Sequence, residues 1–418
     1  MTRHLTSSAM KVSLPELLWY DNSTTELDFP NDWDVSVHPM RGAQARGLSL
    51  AEMADAVNRP IGAPPLRELA RGRKRACIVF DDMTRPTRID ELGPIVIREL
   101  LEAGIAEENI SFVCALGTHG ALTQVELRKK VGSQILERFR VFNHNCYENC
   151  VDVGTTSRGT KLAINREVMN ADLKIGIGCV TAHAQVGFSG GGKIILPGVA
   201  HIDSIAHYHI EVERSAPHTT GLGNFDQNVM RFNIEEAAKL AGLDFKIDVL
   251  VNERGQSSHV FAGEFLATHA EAVKLAKDHY ATDPRPQSKD VIVANAFVKP
   301  NEMAIALLVG IMGLGGLDKS VVLLANAPEG QVIHYLLGRF GNEYGGRQYP
   351  VAGVPPGLNF IIQTPHPDKT FGDWFRNPEL IRFSRSWQET LGMLREKHGA
   401  GTKVGVVPSA TMAYHRFS

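Results

Sequence analysis

Short apolar runs alternate along the chain with longer amphipathic stretches, and many of the runs stop at Gly, Asp or Asn. Residues 77–80 (CIVF) are β-branched and aromatic and end at Asp81-Asp82, which predicts a buried strand. Residues 91–103 then space Leu92, Ile95, Ile97, Leu100 and Leu101 for one helical face, with Gly104 as the stop. A strand over 110–116, the polar turn Gly117-Thr118-His119-Gly120 and a helix starting near Thr123 follow. Further strands are predicted at 172–180, 290–294, 320–325, 360–363 and 403–407. Strands alternating with helices in this rhythm indicate α/β architecture with parallel sheets. The polar, Pro-containing stretch 281–289 (ATDPRPQSK) lies between a helical pattern and a fresh strand. It divides the chain into an N-terminal α/β domain, 1–280, and a C-terminal α/β domain, 281–418. Ligands of open α/β sheets bind at the C-terminal ends of strands, so an active-site cleft between the two domains is expected.

Composition narrows the possibilities. The 418 residues are 43% hydrophobic and 22% charged, which argues against disorder, collagen and coiled coil. Lys plus Arg number 44 against 46 for Asp plus Glu, so there is no electrostatic footprint for nucleic acid or for an anionic membrane. The first twelve residues are too polar for a signal-peptide core, and no apolar run reaches the length of a spanning helix. Five cysteines, an odd number, do not suggest a disulfide scaffold, and a reducing, cytoplasmic setting is expected. The 39 Gly and 16 His matter more, because both gather at a few places.

Four places carry candidate chemistry. Residues 81–88 (DDMTRPTR) put Asp82, Thr84 and Arg85 at a strand end, where an Arg fork suits a carboxylate or phosphate. A helix cap with a surface ion pair is the plainer reading of the same string. In GTHG, His119 sits between small residues and can serve as a base near neutral pH or simply cap the following helix. Residues 181–200 join His183 to Ser189, Gly190, Gly191, Gly192 and Lys193. This is no Walker loop, since Ile194 follows the Lys, but such a turn can close on an anion or present a reactive amine. His201, His207 and His209 then fall within nine residues and offer imidazoles to a transition metal; on one helix, His201 and His209 would share a face. His144, Cys146 and Cys150 make an incomplete zinc pattern and read as structural. In the second domain, residues 295–302 (NAFVKPNE) present Lys299 after a strand, facing either a ligand or water.

In their order and spacing, DDMTRPTR, GTHG, HxxxGFSGGGKxxxPG, His209 and NAFVKPNE resemble the nickel-pincer lactate racemase family. The resemblance runs from about residue 75 to 305. It implies a nickel-pincer nucleotide: a pyridinium mononucleotide holding the metal through two sulfur arms and a ring carbon, tethered to Lys193 or ion-paired with it. It further implies His209 as the metal ligand and His119 and His183 as acid/base residues on opposite faces of a 2-hydroxy acid. Arg85 and Lys299 would hold the substrate carboxylate, and Asp82, Thr84, Ser189 and the three glycines the cofactor. Cofactor-synthesis proteins are the implied partners. The C2–H of a hydroxy acid is too weakly acidic for a histidine alone, whereas a planar 2-keto acid intermediate can be re-protonated and reduced on either face. Two facing bases therefore imply a racemase or epimerase, and one would imply an oxidoreductase. A lyase, or a protein that binds an anionic nucleotide without turnover, are the other readings. Ala296 stands where lactate-acting members have Gln, which favours a 2-hydroxy acid larger than lactate.

Overall fold

The computed structural model describes residues 10–20, 22–343 and 352–416, so most of the polar N-terminal stretch lies outside the described residues. The chain divides into two compact units. One comprises Gly42–Tyr280 together with the segment that begins at Ile333; the other comprises the N-terminal residues up to Arg41, Ala281–Val332 and the C-terminal stretch.

The first unit is organised by a six-stranded sheet in the order 257–263, 245–251, 173–179, 76–81, 110–115, 140–143. Strands Phe245–Val251, Leu173–Cys179, Ala76–Asp81, Ile110–Ala115 and Arg140–Asn143 are parallel, and Ser257–Gly263 closes one edge antiparallel. Every residue of Ala76–Asp81, Leu173–Cys179 and Phe245–Val251 is buried. Helices on both faces exclude water from a parallel sheet, and this explains why these strands read as unbroken apolar runs. Helix Ile89–Glu102 buries Leu92, Ile95, Ile97 and Leu100 of the expected face and Val96 besides, while Leu101 is exposed. Helix Gln124–Arg138 is capped by Thr123, whose side chain accepts from Glu126 N while Glu126 bonds back. Helix Val229–Ala241 packs Ile234 and Ala238 into the core shared with Ile194, Ile195 and Tyr208.

The second unit also has a six-stranded sheet, in the order 381–384, 359–363, 320–324, 291–295, 403–407, 34–37, with all strands parallel. Its core includes Val291, Val293, Val322, Ile361, Val404, Trp387 and Leu394. The break between units at Tyr280 and Ala281 coincides with the polar seam, but the simple two-part division does not describe the packing. The described residues before Arg41 belong with the second unit because Asp34–Val37 pairs with Lys403–Val407, and the hairpin Met10–Pro15/Thr24–Phe29 buries Val12, Leu14, Leu27 and Phe29 in that core. The segment from Ile333 returns to the first unit. All five cysteines are free thiols. Among the described residues, no helix is long and apolar enough to cross a membrane.

Candidate active site

In the first sheet, Ala76–Asp81 is followed by Ile110–Ala115 on one side and by Leu173–Cys179 on the other, so the strand order reverses at Ala76–Asp81. Loops that leave such a point diverge and open a crevice at the strand C-termini. The loops at 82–88, 116–120 and 180–193 all leave there, which brings together motifs far apart in sequence.

The first loop is fixed by a side chain that sequence reasoning missed. Lys130 is completely buried; its Nζ lies 2.9 Å from Asp81 Oδ1 and donates to the carbonyls of Asp82 and Arg85 at 2.8 Å each. Asp81 Oδ2 accepts from Thr87 Oγ1 at 2.6 Å and from Cys179 N at 2.9 Å, joining this loop to the neighbouring strand. Asp82 then faces inward. Its Oδ1 accepts from Thr84 N (3.0 Å) and Thr84 Oγ1 (2.5 Å), and its Oδ2 lies 2.6 Å from His119 Nδ1. Burial alone would raise the Asp82 pKa, but the charge and hydrogen bond of His119, with Arg85 and Thr84, hold it below the ordinary carboxylate value. An ionised Asp82 keeps the His119 proton on Nδ1, which puts the basic lone pair on Nε2. Thr123, not His119, caps the following helix. Arg85 is half-buried and donates to Thr84 O at 2.9 Å and Thr84 Oγ1 at 2.8 Å.

His183 sits on the short hairpin Ala182–His183/Gly187–Phe188. Gly187 has φ +74°, and a Cβ there would lie 2.4 Å from Asn224 O, so the tight turn demands glycine. His183 Nδ1 faces the N–H groups of Gln185 (3.2 Å) and Val186 (3.4 Å), while Nε2 lies 2.7 Å from Lys193 Nζ.

The Gly-Lys loop is held from behind. Gly191 N donates to both oxygens of the buried Asp248 at 3.1 Å, and Asp248 pairs with Lys246 at 2.6 Å. Arg231 donates to the carbonyls of Phe188 (2.6 Å) and Gly190 (3.2 Å), and His269 Nε2 lies 2.8 Å from Ser189 O. Ser189 N donates to Thr181 O at 2.9 Å. The loop therefore differs from one whose N–H groups at Ser189 and Gly191 await a phosphate: both are committed within the chain. A Cβ on Gly192 would lie 2.8 Å from Ala238 Cβ, and one on Gly191 2.6 Å from the His269 ring, so these glycines permit close packing.

His209 does not share a helix face with His201. His201 caps helix Ile202–His207, and His209 lies in the π-helical turn Tyr208–Val212, a distortion frequent at functional sites. His207 bonds Thr160 at 2.9 Å, away from the other two. His209 is buried, and burial followed by the Lys193 charge lowers its pKa to about 3. Its Nδ1 is 3.3 Å from Gln185 Nε2, which also donates to Glu213 at 2.9 Å. Among the described residues, no group of three or more His, Cys, Asp or Glu could enclose a metal ion. A metal that arrives in an organic ligand supplying most of its donors needs only one protein ligand. A neutral, buried imidazole is suited to that part, so these residues fit such a cofactor.

One participant had no motif. His334 is buried beside His119, with ring centroids 5.1 Å apart in an edge-to-face arrangement. Its electrostatic neighbours include His119, His209 and Asp82. The polar residues thus form one connected set in the first unit: His183, Lys193, His209, His334, His119 and Asp82. Lys299 lies in the second unit, buried, just after strand Val291–Asn295, where that sheet's order also reverses. His144 bonds Ala200 O at 2.9 Å and Asn165 at 3.1 Å, a structural arrangement.

Two doubly wound α/β units, one with a cluster of histidines at its switch point, define the class. Residues 20–221 match the family model of the lactate racemase N-terminal domain. Lactate racemase of Thermoanaerobacterium thermosaccharolyticum is 29% identical over 242 residues, 57% of this chain and 56% of that protein. Lactate racemase of Lactiplantibacillus plantarum is 31% identical over 224 residues, 53% of this chain and 52% of that one. The match therefore spans just over half the length of these curated relatives. The fold match is broader. The lactate racemase apoprotein from T. thermosaccharolyticum superposes with a TM-score of 0.76 at 20% identity, covering 98% of this chain and 100% of that one. A Thermotoga maritima protein gives 0.64 at 17% identity, covering 88% and 98%.

Two outcomes follow from the buried charges. Lys130→Met leaves the buried Asp81 carboxyl without its cation and is expected to lower stability by about 3 kcal/mol in denaturant unfolding; an unchanged midpoint would show that the pair does not hold the loop. Burial, followed by the Arg231 charge, lowers the pKa of His269 to about 3, so the folded chain binds fewer protons than the unfolded one between that value and the ordinary pKa near 6.5. Stability attributable to this residue is complete above pH 6.5 and declines as the pH falls toward 3. His269→Gln keeps a donor for Ser189 O and should flatten the acid limb of a stability–pH curve by up to one proton; an unaltered slope would contradict the assignment.

Proposed function

We propose that this chain is a racemase or epimerase that inverts C2 of a 2-hydroxy acid, acting with a nickel-pincer nucleotide. The observation that carries the reading is the placement of His119 and His183 on two separate loops that lead into one set of polar residues. The relatives named lactate racemase support it.

When bound, the cofactor supplies an electron-pair acceptor for the C2 hydrogen, which a histidine alone cannot remove. His119, with its proton fixed on Nδ1 by Asp82, takes the substrate hydroxyl proton at Nε2 for one enantiomer. His183 does the same for the other, and each returns a proton when the reaction runs backward. His209 is the proposed metal ligand. Lys193, 2.7 Å from His183, would hold the cofactor through a thioamide or by pairing with its phosphate. Its removal from the imidazole in the first case would leave His183 Nε2 to the substrate. Asp82 and Thr84 would act on the cofactor through His119 and Arg85, which they touch. Ser189 and Gly190–Gly192 would act by shaping the loop that presents Lys193. Arg85 and Lys299 are the proposed carboxylate partners. Ala296, fully buried in place of a glutamine, favours a substrate larger than lactate. A cytoplasmic setting, where cofactor-synthesis proteins would load the chain, suits five free thiols.

The test is to purify the chain after co-expression with such proteins and to measure nickel, intact mass and deuterium exchange at C2 across a panel of 2-hydroxy acids. The reading expects about one nickel per chain, added mass on Lys193 if the link is covalent, and exchange that falls by about a hundredfold or more in His119→Ala and in His183→Ala. Exchange untouched by both substitutions would refute the two-base mechanism. A nucleotide bound without turnover of any hydroxy acid would make the chain a binding protein.

A further inference from the structure

An imidazole that passes protons to a substrate works only while its ring keeps one direction. The short contact from His119 Nδ1 to Asp82 fixes one corner of the ring, and one contact at one corner does not by itself set a ring's direction. The structure holds the ring at a second place. The segment 333–335 runs antiparallel to the turn 118–120: Gly120 N donates to Ile333 O at 2.9 Å, and Tyr335 N donates to Thr118 O at 2.7 Å. These two bonds bracket His119 and His334 as directly opposed residues. They form the non-hydrogen-bonded pair of a short antiparallel ladder, the position at which side chains approach most closely. Their rings meet edge to face at 5.1 Å with an interplanar angle of 65°.

The His334 ring is itself anchored. Its Nδ1 accepts from Leu337 N at 2.8 Å and faces Leu336 N at 3.2 Å, so the acceptor lone pair is on Nδ1 and the ring proton on Nε2. Thr118 Oγ1 lies 3.2–3.3 Å from both ring nitrogens. Protonating Nδ1 would break the backbone bonds, and burial also disfavours an imidazolium. His119 therefore has a neutral, rigid ring beside it rather than a mobile side chain or a second cation.

We propose that His334 is a positioning residue for His119: the returning segment carries its ring against the His119 ring and so sets the direction of His119 Nε2. This rests on the reading of His119 as an acid/base residue, but the placement can be tested without turnover. In the full-length chain carrying 13C-labelled histidine, the order parameter of the His119 Cε1–H bond reports ring motion directly. It should fall in His334→Ala, stay near the wild-type value in His334→Phe, which keeps an aromatic edge, and fall again in His334→Asn, which keeps an Nδ1-like acceptor but no ring. On the cofactor-loaded chain, His334→Ala should lower kcat for C2 exchange about tenfold or more, with KM changed less than about twofold and partial recovery in His334→Phe. A thermal melt of each variant separates these effects from unfolding. An His119 order parameter unchanged in His334→Ala, or a kcat equal to wild type, would overturn the proposal. Loss of His119 order in a chain that exchanges no hydroxy acid would instead uphold the positioning role and refute the proposed reaction.

Discussion

A carboxylate buried at the end of a parallel strand must be met by a cation or by N–H groups, and two such carboxylates follow one another here. Asp81 is met by the buried amine of Lys130, and Asp82 by the imidazole of His119. The first contact belongs to the framework: it ties helix Gln124–Arg138, the loop after Ala76–Asp81 and the strand Leu173–Cys179 into one unit. The second bears on the proposed chemistry, since it sets the tautomer of His119 and puts the basic lone pair on Nε2. Adjacent residues thus divide the work, one facing the helix and one the crevice, as successive side chains at a strand end must.

The same division explains the glycine loop. Its run of glycines suggests an anion cradle, yet Gly191 N already faces the carboxylate of Asp248, and side chains at the glycines would strike Ala238, Asp248 and the His269 ring. Lack of side chains here allows the loop to lie flat against helix Val229–Ala241 while Lys193 emerges toward His183. Buried Arg231, Lys246 and His269 behind the loop are expensive to desolvate, and their hydrogen bonds to loop carbonyls and to Asp248 offset that cost.

Much of this was legible in the sequence. The central strands are apolar throughout because both sheet faces are covered, and the strand at 403–407 and the helix start at Thr123 carry local signals that agree with the tertiary structure. Motifs at strand ends mark the switch point because the loops there need Gly, His and Asp for conformational or chemical reasons. What escaped depends on long-range packing. Lys130 reads as an ordinary helix-surface lysine, since nothing local says its face turns toward Asp81. His334 lies between apolar residues in a segment that rejoins the first unit only after the chain has passed through the second. Residues 34–37 are too short and too polar to declare a strand, and their place at the edge of the second sheet is decided by pairing with 403–406. His201 and His209 are eight apart, but His201 is the extended N-cap of helix Ile202–His207 and so belongs to no helix face.

The account depends on one arrangement: two imidazoles, His119 and His183, addressing opposite faces of the same carbon. A crystal structure of the cofactor-loaded chain with a bound 2-hydroxy acid tests this most directly. The account predicts C2 between the two rings, with Nε2 of each within reach of the substrate hydroxyl in one of the two enantiomer complexes. A substrate touched by only one of these histidines in both complexes would contradict it.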